Sequence, residues 1–135
     1  MLGTDVDREG SKTRPYVLVV DDDPDVLDAL TDALGLEGYL VRGARDGIEA
    51  LRIIGEHRPD LIVTDLMMPT MTGFELLGAL HENPETARIP TLIITAARNT
   101  DALRSGPAKI LEKPLDLDAL LRAISAVTGT PGQRN

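Results

Sequence analysis

The chain has 135 residues, enough for one domain that buries roughly two thirds of its unfolded surface, with no cysteine and a formal net charge of −8. These values exclude a disulfide framework and a thiolate metal site, suit a reducing compartment, and oppose binding to nucleic-acid phosphates, for which neither a basic cluster nor an aromatic platform is present. No apolar run approaches membrane-spanning length, and the opening MLGTDVDREGSKTRP is too polar for a signal peptide, so the expected setting is the cytoplasm, away from membranes and among protein partners.

Residues 1–14 read as a flexible polar tail, residues 15–128 as the folded domain, and residues 129–135 as a second tail. Pro15 introduces YVLVV, a β-branched run suited to a strand covered on both faces. It ends in Asp21, Asp22 and Asp23. Asp23 precedes Pro24, which is tolerated at the first position of a helix, so Asp23 is the expected N-cap. Asp21 and Asp22 then have no structural role and, as neighbouring carboxylates at a buried strand end, call for a positive partner, most simply a divalent cation. The first helix places Val26, Leu27, Leu30, Ala33 and Leu34 on one face and stops at Gly38.

Residues 39–42 form a short second strand. Asp46 caps a helix over 47–56 with Ile48, Leu51 and Ile54 as its apolar face. Residues 61–64 make a third strand, ended by Asp65 and the loop LMMPTMTG. A helix over 74–81 turns Leu76, Leu77 and Leu80 inward, HENPETARIP is a loop, and residues 91–95 are the fourth strand. Residues 99–104 are at most a short helix. Residues 109–111 give the fifth strand, and LDLDALLRAISAV a last helix with Leu117, Leu120, Leu121, Ile124 and Val127 on one side. Met67, Met68 and Met71 are expected to fill gaps or pack in the loop, and His57 and His81 to be structural or exposed.

Five strands alternating with helices predict a doubly wound α/β sheet in the flavodoxin-like order 2-1-3-4-5, a three-layer sandwich. In that order the first and third strands are neighbours. Asp21, Asp22 and Asp65 then share one crevice, and the next two strands bring Thr95 and Lys113 to the same rim. Three acids and one ammonium carry a charge of about −2, which one Mg²⁺ would cancel. The inventory suits a phosphoryl group: oxygen ligands for a hard cation, a lysine and a hydroxyl for phosphoryl oxygens, and a carboxylate able to act as nucleophile.

VLVVDDDPD, LIVTDLMMPTMTG, TLIITAA and KP, in this order, resemble the motifs of response-regulator receiver domains over residues 17–127. The resemblance implies that Asp65 is the phosphoacceptor, charged by a sensor histidine kinase, a histidine phosphotransfer protein or acetyl phosphate. It implies that Asp22 and Asp65 bind Mg²⁺ (or Mn²⁺) directly, Asp21 through water, and that the backbone carbonyl of Met67 completes the set. Thr95 and Lys113 would hold phosphoryl oxygens, with a cis Lys113–Pro114 bond. Catalysis would be limited to the domain's own phosphorylation and dephosphorylation.

Two alternatives stand beside this reading. One is a degenerate receiver that serves as a phosphorylation-independent interaction module. The other is an aspartate-nucleophile phosphatase using Asp21 and Asp23, although Asp25 stands where Thr or Val is needed. A calcium loop is excluded by Pro24 and by Val26 at the position that requires glycine. The chain also departs from the family. Thr95 and Lys113 are about four residues closer in sequence than is usual, implying a shortened fourth helix, and Ile110 replaces the aromatic residue of the family's switch. Met67 and Ala97 cannot orient a water molecule, so the phosphoryl group should be long-lived. With no output domain in view, signalling is expected through docking to an unknown downstream protein or through onward relay.

Overall fold

The computed structural model describes residues 14–96 and 109–129. In chain order the elements are β1 (Tyr16–Val20), α1 (Pro24–Leu36), β2 (Leu40–Ala44), α2 (Gly47–Glu56), β3 (Leu61–Asp65), α3 (Gly73–Glu82), β4 (Thr91–Thr95), β5 (Lys109–Glu112) and α4 (Leu117–Thr128). The strands form one parallel sheet in the order β2-β1-β3-β4-β5, as the alternation of elements predicts. The expected tails, apart from Arg14 and Gly129, the expected short helix at 99–104, and Ala97 lie outside the described residues.

The central strands are buried on both faces because successive side chains point to opposite sides of a strand. Val17, Val19, Leu61, Val63, Leu92 and Ile94 pack with Leu30 and Leu34 of α1 and Leu120 and Ile124 of α4. Leu18, Val20 and Ile62 face the other way, against Ala50, Ile53 and Ile54 of α2 and Leu76 and Leu80 of α3. Among the described residues, one helix pair therefore covers each face. Each described helix is capped at its N-terminus. Asp23 accepts from the Asp25 and Val26 N–H groups, Asp46 from Glu49, and Asp116 from Asp118, while Thr72 and Glu75 form a reciprocal capping box.

Four expectations shift. β2 begins at Leu40, not Tyr39, because the Tyr39 N–H donates to the Leu34 carbonyl and closes α1 after Gly38, whose φ is 98°. The buried side of α2 is Gly47, Ala50, Ile53 and Ile54, and Ile48 is 56% exposed. The Met71 side chain occupies the space over Gly47, where a Cβ would lie 2.6 Å from its sulfur, so only glycine admits this approach. In α4 the buried line is Leu120, Ala123, Ile124 and Thr128, leaving Leu117 and Val127 about two-fifths exposed. Thr128 is accepted there because its hydroxyl donates to the Ile124 carbonyl at 2.9 Å. At the other end of the sheet β5 is one residue longer than expected, and Ile110 packs half-buried beside Leu66, Leu77 and Ile93.

Thr70, in the loop between β3 and α3, has φ 65°. A β-branched residue in that left-handed region is strained by about 1–2 kcal/mol, and glycine is not. Thr70→Gly removes that strain at some cost in unfolded-chain entropy. The expected net gain is about 0.5–1 kcal/mol in urea unfolding; an unchanged or lowered midpoint would contradict it.

Candidate functional site

The parallel register ends β1, β3 and β4 at the same edge of the sheet, so residues distant in sequence arrive together. Val20 pairs with Thr64, and Asp65 pairs with Ile94. Asp21, immediately after β1, is 4% exposed, Asp65 is 8% exposed, and Asp22 is open to solvent. One carboxylate oxygen from each of Asp21, Asp22 and Asp65 lies within 4.8 Å of the other two. From the β5 side, Lys113 Nζ reaches 3.5 Å from Asp65 Oδ2. Lys113 is held there through its backbone, whose N–H donates to the Thr95 carbonyl at 2.8 Å. Thr95 itself is fully buried at the end of β4. All five side chains singled out in the sequence therefore belong to one edge, and the Lys113–Pro114 peptide is cis as the resemblance implied.

Each Asp65 oxygen faces a different donor. Oδ2 meets the Lys113 ammonium, and Oδ1 accepts from the Met67 N–H at 3.4 Å, a long bond. The Met67 side chain points outward and is 67% exposed. Thr64 donates its hydroxyl to the Asp65 carbonyl at 2.9 Å, and the Gly73 N–H donates to the Leu66 carbonyl at 2.8 Å. A Cβ on Gly73 would lie 2.9 Å from the Asp65 carbonyl oxygen and 3.0 Å from the Leu66 Cα, both backbone atoms. Only glycine lets the start of α3 sit this close to the residue on which the site turns. Sequence reasoning assigned no role to Gly73; the signal was its place between the loop and the helix.

Asp21 was expected to lack a structural role, and it has one. Its Oδ1 accepts the Asp23 N–H at 2.9 Å, while Asp21's own N–H donates to the Ala44 carbonyl at 3.0 Å. The side chain stabilises the turn that feeds the Asp23 cap. Asp23 uses its Oδ1 to cap the first turn of α1.

Burial pushes the Asp21 carboxyl above its ordinary value; the negative charges of Asp65 and Asp22 add to this, while the Asp23 N–H and Lys113 oppose it. Two carboxylates this close repel by roughly 3 kcal/mol at an effective dielectric of about 20. The described donors are all oxygen, clustered and net negative, which fits a small hard divalent cation such as Mg²⁺. Because the folded-state value of Asp21 is raised, its contribution to stability is full below the ordinary 3.8 and is lost as pH rises through the raised value. In metal-free buffer at neutral pH, Asp21→Asn should therefore melt above the parent, and the difference should shrink toward acid pH. The same substitution should reduce the gain in melting temperature on adding Mg²⁺. Calorimetry with and without Mg²⁺ checks both, and a variant less stable than the parent without metal would refute the account.

The family described as response regulator receiver domain matches residues 17–125. The chain is 44% identical over 112 residues to an uncharacterized 14.6 kDa protein of Leptolyngbya boryana, covering 80% of this chain and 86% of that one. Response and transcriptional regulators among its curated relatives are 36% to 40% identical, and the chain spans about half of their length. Among solved structures, Vibrio cholerae chemotaxis protein CheY4 superposes with a TM-score of 0.78 at 31% identity, covering 84% of this chain and 98% of that one. Response regulator TrrA of Thermotoga maritima, solved in complex with Mg²⁺-BeF, gives 0.75 at 28%, covering 84% and 98%. With its motifs, its 2-1-3-4-5 sheet and these likenesses, the chain belongs to the receiver-domain family of two-component response regulators.

Proposed function

We propose that Asp65 is the phosphoacceptor, taking a phosphoryl group from a phosphohistidine on a sensor histidine kinase or a histidine phosphotransfer protein. The observation that carries this reading is the Lys113 ammonium 3.5 Å from Asp65 Oδ2, beside carboxylates from a different strand within 4.8 Å. An Asp65 carboxylate oxygen attacks the phosphorus and forms a P–O bond. The P–N bond breaks, and the departing imidazole nitrogen keeps the bonding pair and takes up a proton from solvent. The product is an acyl phosphate on Asp65.

Lys113 then moves its charge from the carboxylate to a phosphoryl oxygen, where charge accumulates in the transition state, and the Thr95 hydroxyl donates to another. Asp22 and Asp65 would hold Mg²⁺ or Mn²⁺ directly, Asp21 through water, and the Met67 carbonyl would complete the protein ligands. When bound, the cation supplies neutralising charge for the acids and the incoming phosphoryl oxygens. Burial of Asp21 and Asp65 supports this, since ionised groups removed from water need a counter-charge. The domain's catalysis is confined to its own phosphorylation and dephosphorylation. We place it in the cytoplasm, with a protein as its downstream partner or the next carrier in a relay; its net charge of −8 favours both over nucleic acid.

Incubation with acetyl phosphate and Mg²⁺ followed by intact mass measurement should add one phosphoryl group to the parent and none to Asp65→Asn. Lys113→Met should slow labelling by about tenfold or more, the loss expected when one charged transition-state contact of ~1.4 kcal/mol is removed. Unchanged labelling of Asp65→Asn would overturn the assignment. The acyl phosphate should outlast the seconds scale, because the exposed Met67 thioether beside the site cannot orient an attacking water. A decay measured in seconds would contradict that part alone.

A further inference from the structure

The opposite pole of the sheet, where β3 and β4 begin, carries features that phosphoryl transfer does not use. Five strand residues separate it from the Asp65 edge, about 17 Å at ~3.3 Å per residue. Two concavities meet there along a shared wall of Arg88, Ile89 and Pro90. One, of about 240 Å³, has an apolar lining from Leu77, Ala87 and Ile89, with His81 at its side. The other, of about 310 Å³, has Arg58 and Arg88 with Pro59, Asp60 and Pro90. Apolar space and cationic space therefore adjoin.

The two arginines are exposed and make no ion pair with any described residue, whereas Arg42, Arg45, Arg52 and Lys113 are all paired with carboxylates. The acid between them, Asp60, is already engaged: its Oδ2 accepts the Tyr16 N–H at 2.8 Å and ties the start of β1 to the start of β3. In a chain of net charge −8, two unmatched guanidinium groups converging on one cavity are a local reversal of sign. Guanidinium is the side chain suited to planar, bidentate recognition of a carboxylate. Both arginines stand on connections whose backbone is fixed, Arg58 directly after α2 and Arg88 just before Ile89, which is 7% exposed and whose N–H donates to the Thr86 carbonyl.

We infer that this pole is a docking site for a protein segment bearing a carboxylate next to an apolar side chain, the acid between Arg58 and Arg88 and the apolar group in the neighbouring cavity. Charge complementarity selects the acid, and the lining of Leu77, Ala87 and Ile89 selects its neighbour. The segment would reach the domain at the far end of the strands that bear Asp65 and Thr95, so docking here leaves the phosphoryl site open. A partner held this way can stay bound through phosphoryl transfer.

The test is a titration of ¹⁵N-labelled protein with the capped dipeptide N-acetyl-leucyl-glutamate amide at low salt, followed by amide chemical shifts. Expected are saturable shifts centred on Arg58, Asp60, Arg88 and Ile89, with a dissociation constant in the millimolar range natural to so small a ligand, about −4 kcal/mol. Arg58→Gln and Arg88→Gln, both at exposed positions, should each weaken binding by about tenfold. The glutamine dipeptide should bind no better than those variants, and Asp65→Asn should bind like the parent. No saturable shift at this pole, or equal shifts with the glutamine dipeptide, would overturn the inference. So would shifts that appear with protein concentration alone, since a second copy would then be the occupant.

Discussion

The rest of the structure depends on an electrostatic debt held at one edge of the sheet: two buried carboxylates and an exposed third crowd within 4.8 Å, with a single ammonium at 3.5 Å from one of them. Left alone, such a cluster opposes folding, because each buried charge loses hydration and each neighbour adds repulsion. The fold tolerates it because the apolar strands behind it are buried on both faces by two separate helix layers. The same tension gives the edge its chemistry. A site short of positive charge suits a divalent cation, and this is what the proposed phosphoryl transfer to a carboxylate beside a lysine would use.

The backbone around that edge is tied down more firmly than the side chains within it. Asp21 accepts from the Asp23 N–H, Asp23 caps α1, and the Gly73 N–H donates to the Leu66 carbonyl, each bond between 2.8 and 3.4 Å. The Asp65 carboxylate, by contrast, has long contacts with the described residues, 3.4 Å to the Met67 N–H and 3.5 Å to Lys113. This division is useful. In the proposed reaction a rigid frame would fix where the acceptor oxygen stands, while loose first partners would let cation and phosphoryl oxygens take their places without dismantling a tight bond.

The two ends of the sheet are thus chemically opposite. The carboxyl ends gather acids that need a cation, and the amino ends present Arg58 and Arg88 without acidic partners among the described residues. The chain spans about half the length of these regulator relatives. On the proposed reading, separated poles of opposite sign would let one end exchange phosphoryl groups while the other holds a partner.

Strand positions to within two residues, the Asp23 and Asp46 caps and the five polar residues gathered at one edge were legible in the amino-acid sequence because each is a local signal, whereas the Thr72 and Asp116 caps were not read from it. Apolar runs of five residues ending in Asp21, Asp65 and Thr95, the Asp23-Pro24 start of α1, and Lys113 before Pro114 are visible without distance information. What the sequence left open was rotation and approach. Ile48, Leu117 and Val127 fit a helical stripe on paper, yet the seat of each helix on the sheet exposes them, because neighbouring positions at the edge of a stripe differ by too little hydrophobicity to decide. The roles of Gly47 and Gly73, the turn made by Asp21 and the unmatched pair Arg58 and Arg88 required tertiary structure. They arise from contacts between segments far apart in the chain, which no local pattern encodes.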